Sequence, residues 1–240
     1  MKQPKLELLS PAGSWEALEA AVRSGADAVY LGGSLFSARA NAQNFDHDTL
    51  KQAVAYCHAR GVKVHLAVNT ILLNHEIEPA LDFVAFACTL PVDAVIVQDI
   101  GLLHLLRQAA PTLQIHASTQ MSVHTPEGAK LLAEQGVSRV VLARELSLKE
   151  IKEISRVLKD GGFAHVEIEH FVHGALCMSV SGQCYFSSLL GSRSGNRGQC
   201  AQTCRLPFSA KGGTGYDLSL KDLSMIERIG ELADAGVTSF

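Results

Sequence analysis

Short apolar runs alternate with amphipathic stretches along most of the 240-residue chain. Seven runs have strand character, and six stretches between them repeat apolar residues at helical spacing. Most of the runs, such as Ala94–Val97, are apolar on both faces, which is typical of a parallel sheet covered on both sides. The predicted strands are Leu6–Leu9, Ala28–Leu31, Val62–Val68, Ala94–Val97, Ile115–Ser118, Arg139–Ala143 and Val166–Phe171, and the predicted helices are Ser14–Ser24, His47–Arg60, Ile77–Thr89, Gly101–Ala109, Thr125–Gln135 and Leu148–Asp160.

The predicted helices end in similar sequence motifs. In each motif a glycine, such as Gly25, Gly61 or Gly136, occupies the position where a helix needs a left-handed C-cap. This recurrence favours a barrel of repeated units over a doubly wound open sheet, and no G-x-G-x-x-G follows the first predicted strand. We therefore predict one α/β domain over residues 1–240, with the architecture of a (β/α)8 TIM-like barrel.

The alternation breaks after the seventh predicted strand. Residues 172–215 are rich in Gly, Ser and Cys, and the pattern resumes with Tyr216–Leu220 and a helix over Ser224–Ala235. Val237–Phe240 resembles the opening of an eighth strand, and half a strand leaves an unpaired sheet edge. We expect a barrel truncated before or within strand eight, a cysteine-rich insertion after strand seven, and the N-terminal part of a longer polypeptide.

Composition adds limits to this outline. The chain is 47% apolar and 19% charged, an ordinary globular balance, and its net charge of −3 means that any nucleic-acid footprint must be local. A signal peptide and an eighteen-residue apolar run are both missing from the sequence, so we expect a cytoplasmic protein outside the membrane. Six cysteines in a reducing compartment indicate metal ligands or core thiols rather than disulfides.

Four of the cysteines form the pattern C-x6-C-x15-C-x3-C, made by Cys177, Cys184, Cys200 and Cys204. Thiolates suit soft metals and iron–sulfur centres, and a segment after strand seven lies at the C-terminal mouth of a barrel. Structural zinc is the main alternative, although zinc sites usually have a tight cysteine pair at both ends. Buried thiols and disulfides stay open as lesser readings, and Cys57 and Cys88 are predicted core residues.

Charge reverses locally around these cysteines. No Asp or Glu occurs from His170 to Tyr216, whereas this segment contains Arg193, Arg197, Arg205 and Lys211. The cations could offset the charge of a thiolate-bound cluster or bind an anionic partner, either RNA phosphate or a small carboxylate. Both explanations stay open.

Strand ends nominate further site residues, because the carboxyl ends of barrel strands face the active site. His173 is the favoured proton-transfer residue, with a scaffold role as its alternative, and Glu169 is a second catalytic candidate. The other candidates at strand ends are Asn69, Gln98, Asp99, Ser118, Thr119, Gln120, Arg144 and Glu145.

Several motifs together resemble peptidase family U32, from about residue 6 to residue 240. The cysteine-bearing motifs are the specific ones, and three N-terminal blocks agree with them: Phe171–Cys177, Ser181–Cys184, Asn196–Arg205, Leu9–Gly13, Gly25–Tyr30 and Leu142–Ser147. The resemblance implies a [4Fe–4S] cluster on the four cysteines and oxygen-independent hydroxylation of RNA bases or quinone precursors. It also implies prephenate as co-substrate of the RNA-acting members, and Arg39 as a carboxylate-binding residue.

Within the family, the cysteine block is most similar to the 23S rRNA cytidine hydroxylase branch. We therefore expect an RNA-modifying hydroxylase with rRNA or tRNA and a small carboxylate as partners, and with Arg193, Arg197 and Arg205 among the substrate-binding residues. A U32 peptidase with a structural metal is the runner-up, although the sequence has neither H-E-x-x-H nor G-x-S-x-G. A non-catalytic RNA-binding module is a third possibility.

Overall fold

The computed structural model describes residues 5–38, 42–210 and 212–240. Seven parallel strands form one sheet in which each strand pairs with the next along the chain. Sequential parallel pairing requires a crossover between every two strands, and helices supply it. The strands are β1 (Leu9–Pro11), β2 (Ala28–Gly32), β3 (Lys63–Val68), β4 (Ala94–Val97), β5 (Ile115–Ala117), β6 (Arg139–Val141) and β7 (Glu167–Glu169).

Six helices cover the outside of this sheet, and most begin at a polar N-cap. The Ser147 and Glu150 side chains form a capping box, for example, which satisfies two backbone donors at the helix start. The predicted glycines end helices in the left-handed region, as at Gly25 (φ 89°). The helices are α1 (Trp15–Arg23), α2 (His47–His58), α3 (Ile77–Thr89), α4 (Ile100–Ala109), α5 (Pro126–Glu134) and α6 (Leu148–Asp160).

The apolar core lies between the sheet and these helices. It contains outward-facing strand residues such as Leu66 and Val140 together with helix residues such as Leu102 and Ile154, all fully buried. The opposite face of the sheet lines the barrel interior and is more polar. It carries the buried side chains of His65 on β3 and His116 on β5. Burial on both faces explains why the strands are apolar in nearly every position.

Residues at the end of the chain bond to both edges of the sheet. The Glu7 N–H donates to Thr238 O (2.8 Å), the Phe240 N–H donates to Glu7 O (2.9 Å), and the Thr238 N–H donates to Ile168 O (2.9 Å). The expected unpaired edge is therefore wrong, because a segment of three residues already makes ladder bonds on both sides. The parallel sheet is curled as in a TIM-like barrel.

The described residues between β7 and the last helix form only short elements. These are β8 (His173–Gly174), α7 (Phe186–Gly191), β9 (Phe208–Ala210), β10 (Gly213–Gly215) and β11 (Leu223–Ser224), followed by α8 (Ile229–Asp234). β9 pairs with β10, and β8 pairs with β11, in two antiparallel ribbons outside the main sheet. Weak periodicity in the sequence thus corresponds to small elements without a large buried face.

Four sequence predictions differ from the structure. Residues 216–220 are not a strand, because Ser219 N–H donates to Tyr216 O in a turn (2.8 Å). The predicted helix over 224–235 is a 3-10 turn followed by the shorter α8. The first strand begins at Leu9 rather than Leu6, and Cys88 is exposed on α3, whereas Cys57 is buried as predicted. Within the described ranges, none of the helices has the length and apolar character needed to cross a membrane.

Candidate active site at the mouth of the barrel

Four thiols line one cavity at the carboxyl ends of the strands. The cavity measures about 590 Å³ and is bounded by Cys177, Cys184, Cys200 and Cys204. Thr119 and Gln120, which follow β5, and Arg144, which follows β6, line it as well. The structure therefore brings the predicted ligand set and several predicted strand-end residues to one place.

The Cys200 sulfur has two polar neighbours. The Gln202 N–H donates to it at 3.4 Å, and the Ser187 hydroxyl lies 3.9 Å away. Gln202 itself has a left-handed backbone (φ 54°), which costs a non-glycine residue about 1 kcal/mol. A constrained turn therefore separates Cys200 from Cys204, and its N–H stabilises negative charge on the first of these sulfurs.

The donor set suits a soft metal or an iron–sulfur centre by its chemistry: four free thiols around one cavity, in a segment without carboxylates. In the part of the chain that the structure describes, however, no three His, Cys, Asp or Glu side chains converge closely enough to hold a metal ion. The cysteines stand on loops and on a 3-10 turn rather than in the main sheet. Closing around a metal would therefore require movement of these loops and leave the barrel strands in place.

A network of side-chain amides ties the cysteine segment to the barrel. Asn196 donates to Gln98 Oε1 (2.7 Å) and to Gln120 Oε1 (2.9 Å), and it accepts from the Ile71 N–H (2.9 Å). Gln120 in turn donates to the backbone oxygen of Asn69 (2.9 Å). Sequence reasoning nominated Gln98, Gln120 and Asn69 but missed Asn196, although it lies inside the cysteine motif. The network fixes the loop before Cys200 over strands β3 to β5.

An ion pair anchors the same loop from the side. Arg197 donates to both carboxylate oxygens of Glu76 (2.8 and 2.5 Å) and to Ile71 O (3.0 Å). Hydrogen bonding to Arg197 lowers the pKa of Glu76 to about 2. The Arg197 guanidinium is thus occupied by the chain itself, which favours a positioning role over direct contact with substrate.

Residues after β6 hold the loop before Cys184. Glu145 accepts from the Ser181 backbone N–H (3.0 Å) and hydroxyl (3.2 Å), and Arg144 Nε donates to the same hydroxyl (3.3 Å). Gly182 (φ 79°) sits so close to the backbone of Gln120 that an added Cβ would lie 2.5 Å from its carbonyl oxygen. Only glycine fits this contact, which fixes Cys184 beside the end of β5.

The remaining predicted cations differ from one another. Arg205 donates to Ser219 Oγ (3.0 Å), to the backbone oxygen of Leu176 (3.1 Å) and to that of Leu220, so it braces the segment internally. Arg193 is exposed, and its guanidinium has no hydrogen-bond or ion-pair partner among the described residues. Arg39 and Lys211 lie outside the described residues.

The Glu169 side chain is buried in an ion-pair cluster, too deep to contact a large substrate directly. Its carboxylate accepts from Arg139 Nη1 (3.1 Å), which also binds Glu7 (2.6 Å) and Ser239 Oγ (3.1 Å), while Arg139 Nη2 binds Glu167. Burial raises the pKa of Glu169 against the opposing charge of Arg139, whereas Arg139 lowers the pKa of Glu7 to about 2 despite its burial. One guanidinium thus joins the start of the chain, β6, β7 and the closing residues.

A second cavity, of about 330 Å³, opens above this cluster. Glu169, His170 and His173 line it, together with Asn69 and Ser118. His173 is exposed, whereas His170 is buried and its Nε2 has no hydrogen-bond partner in the described chain. Burial lowers the pKa of His170 and so favours its neutral form. His170 has no separate signal in the sequence, because it lies at the end of a predicted apolar strand.

Comparison with known proteins identifies the family. A sequence profile of peptidase family U32 matches residues 13–240. The chain belongs to peptidase family U32. Among U32 relatives, the 23S rRNA 5-hydroxycytidine C2501 synthase of Escherichia coli K12 is 44% identical over 98% of this chain and 36% of its own length. The tRNA hydroxylation protein P1 of Bacillus subtilis 168 is 34% identical over 98% of this chain and 57% of its own length.

A solved U32 peptidase has the same fold. Its TM-score is 0.60 over 73% of this U32 chain and 72% of its own, at 19% identity. A likeness at that identity concerns the fold alone. The chain spans about a third of the first curated relative and a little over half of the second, and the predicted family is confirmed.

Proposed function

We propose that this U32 chain is the barrel portion of an oxygen-independent RNA hydroxylase with a [4Fe–4S] cluster on Cys177, Cys184, Cys200 and Cys204. The observation that carries the proposal is that all four thiols line one cavity at the end of the barrel where such folds place their chemistry. Relatives named for rRNA and tRNA hydroxylation support RNA as the substrate class. We assign a cytidine of 23S rRNA, after the relative at 44% identity.

The cysteine segment has features that favour thiolate ligation. The Gln202 N–H and the Ser187 hydroxyl both point at the Cys200 sulfur, and such donors stabilise a thiolate. Because residues 171–216 contain no carboxylate, the thiolates meet little repulsion from their own segment. A bound cluster would supply one-electron transfer at the cavity. The amide network and the Arg197–Glu76 pair keep the segment on the barrel while its loops close.

The chain's own residues would bind and protonate the reactants. Asn69 and Gln120 present amide groups at the mouth, and Arg144 lines the thiol cavity as a cation for a carboxylate. We assign proton exchange at the reacting base to the exposed His173, with Glu169, whose pKa is raised by burial, beneath it as the second catalytic residue. We also assign substrate contact to Glu145, whose carboxylate holds Ser181 in place.

The overall reaction replaces a ring C–H by C–OH, a two-electron oxidation of the base. It balances without molecular oxygen when a small hydroxylated carboxylate gives up its hydroxyl group and takes the hydrogen. We assign that donor to prephenate and place the protein in the cytoplasm, where RNA and a reducing environment occur together.

A U32 peptidase with a structural metal is the competing function, since the family name and a solved member carry that description. Nucleophilic catalysis needs a thiol or hydroxyl with a hydrogen-bonded base. None of the four thiols has a histidine hydrogen-bond partner among residues 5–38, 42–210 and 212–240, and Ser181 is fully buried against Glu145. The site therefore favours the hydroxylase.

Anaerobic reconstitution with iron and sulfide tests the cluster. We expect the visible absorbance of an iron–sulfur protein and about four iron atoms per chain. Replacing Cys177, Cys184 or Cys200 by serine should remove most of that iron, whereas the matched control Cys88→Ser, at an exposed cysteine outside the cavity, should retain it. A colourless chain with stoichiometric zinc would contradict the proposal and favour the peptidase.

Mass spectrometry of ribosomal RNA tests the substrate. A strain without the gene should lose hydroxycytidine in 23S rRNA, and the wild-type gene should restore it while the Cys200→Ser gene does not. Hydroxycytidine that is unchanged in the deletion strain would overturn the rRNA assignment. Peptide hydrolysis that persists in Cys200→Ser would point to the alternative.

A further inference from the structure

Helix α7, next to Cys184, has two different faces. Its inner face holds Ser187, which is buried, accepts from the Ala201 N–H (3.0 Å) and lies against Cys200. Leu189 on its outer face and Tyr185, the residue just before its first turn, are 82% and 71% exposed. These two residues are four positions apart and so lie on one side of the helix. A tyrosine at the rim of the thiol cavity is thus turned toward solvent beside an apolar side chain.

The segment that follows α7 is positively charged. Arg193 follows α7 and is exposed, and in the described part of the chain its guanidinium has no partner. Two other arginines of the segment are engaged, Arg197 with Glu76 and Arg205 with backbone oxygens. With no Asp or Glu from residue 171 to 216, nothing in the segment itself neutralises Arg193. In a chain of net charge −3, this is a local cationic site.

We propose that Tyr185, Leu189 and Arg193, the α7 platform, bind an unpaired stretch of RNA beside the target base. The inference rests on the proposed RNA hydroxylase function and specifies where the strand lies. Tyr185 stacks on a nucleobase next to the target, Leu189 extends the apolar surface, and Arg193 meets a backbone phosphate. Because Tyr185 also lines the thiol cavity, a base stacked there places its neighbour at the cavity mouth.

An unpaired strand fits better than a duplex or a protein. Stacking requires an accessible base face, which a continuous duplex does not offer. A protein partner would have to supply the carboxylate for Arg193 itself, because residues 171–216 contain no Asp or Glu. A single strand satisfies both halves of the platform at once, through a ring for the tyrosine and a phosphate for the arginine.

Fluorescence anisotropy with a short pyrimidine-rich oligoribonucleotide tests the platform. Tyr185→Ala should weaken binding of the single strand by about tenfold or more, while Tyr185→Phe should keep most of the affinity because the ring remains. Arg193→Ala should weaken binding and lower the slope of log affinity against log salt by about 0.7. Binding to the same sequence in a duplex should change little in Tyr185→Ala.

Two substitutions serve as matched controls. Arg23→Ala removes an exposed arginine from α1, and Leu131→Ala removes a leucine that is 59% exposed on α5; both should bind RNA like the wild type. Wild-type affinity in Tyr185→Ala and Arg193→Ala would overturn the platform, and the proposed function would stand if those variants still hydroxylate RNA. Loss of self-association in Leu189→Asp with unchanged RNA binding would assign the face to a second copy and also overturn it. A wild-type chain that neither binds nor hydroxylates RNA would end both proposals.

Discussion

The two ends of the barrel treat their polar groups in opposite ways. At the N-terminal ends of the strands, Arg139 is buried and binds three carboxylates and Ser239. At the C-terminal ends, four thiols line an open cavity, and the exposed Arg193 has no partner in the described chain. At the N-terminal end, the chain itself neutralises the charge of Arg139. At the C-terminal end, the four thiols and Arg193 are available to a ligand.

This difference separates stability from function. A buried guanidinium that lacks its carboxylates is very costly, so the cluster around Arg139 constrains how β6, β7 and the closing residues meet. The thiols and Arg193 contribute little to folding in the present arrangement, because their chemistry needs a ligand. The amide network around Asn196 lies between these extremes, since it is internal but holds the segment that carries the thiols.

The largest expected effect tests the buried end. Arg139→Met should lower the free energy of unfolding by about 3–5 kcal/mol, because Glu7 and Glu169 would lose their buried counter-charge. Urea denaturation measures this change. The matched control Arg156→Met removes an exposed helix ion pair and should cost less than about 1 kcal/mol. Equal costs in the two variants would contradict the contrast between the ends.

A fall in pH should lower the free energy of unfolding through the buried side chain of His65. Burial, aided by the charge of Arg139, lowers the pKa of His65 from 6.5 to about 4, so the folded state holds the neutral ring. A group with a depressed folded-state pKa that must remain neutral destabilises the fold as pH falls from 6.5 toward 4. His65 should account for a loss of up to about 3 kcal/mol over that window.

The measurement compares urea midpoints of wild type and His65→Gln at neutral pH and near the lower limit of the window. His65→Gln should show the smaller loss. Glu169, with its raised pKa, acts in the opposite direction in both proteins and cancels in the comparison. The same pH dependence in both proteins would show that His65 is not held neutral.

An intermediate effect is expected at the amide network. Asn196→Ala removes the bonds to Gln98, Gln120 and the Ile71 N–H and should lower the free energy of unfolding by about 1 kcal/mol. Its main consequence should be faster chemical labelling of the four cavity thiols, since the loop before Cys200 loses its attachment. Asn74→Ala, at an exposed position, is the control, and equal labelling rates would contradict the positioning role.

The smallest effect is expected at Cys88, a cysteine outside both regions, and Cys57 is its buried counterpart. Cys88→Ser should change the free energy of unfolding by less than about 0.5 kcal/mol, because the side chain is exposed. Cys57→Ser should cost about 1–3 kcal/mol, because a hydroxyl would be buried in the apolar core. Thermal denaturation distinguishes the two, and a reversal of this order would contradict the burial of Cys57.

Much of the fold followed from local pattern. Runs such as Ala94–Val97 predicted the strand in full, and Gly25 marked the end of a helix that the structure places there. Boundaries were less accurate where burial did not follow periodicity, as at residues 6–9, where Leu6 and Leu8 are partly exposed. The four cysteines were placed at the mouth by their position after strand seven, and all four line one cavity there.

By itself, the sequence determined the order of strands and helices, the family and the identity of the four thiols, because periodicity, caps and motif spacing are properties of neighbouring residues. Only the tertiary structure decided which distant residues meet. Ser239 donates to Glu7 across 232 positions, Asn196 reaches Gln98 across 98, and His170 is enclosed without a partner for its Nε2 in the described chain. Such contacts depend on how the sheet curls, and the energy of burying a polar group is set by all the elements around it rather than by its own segment.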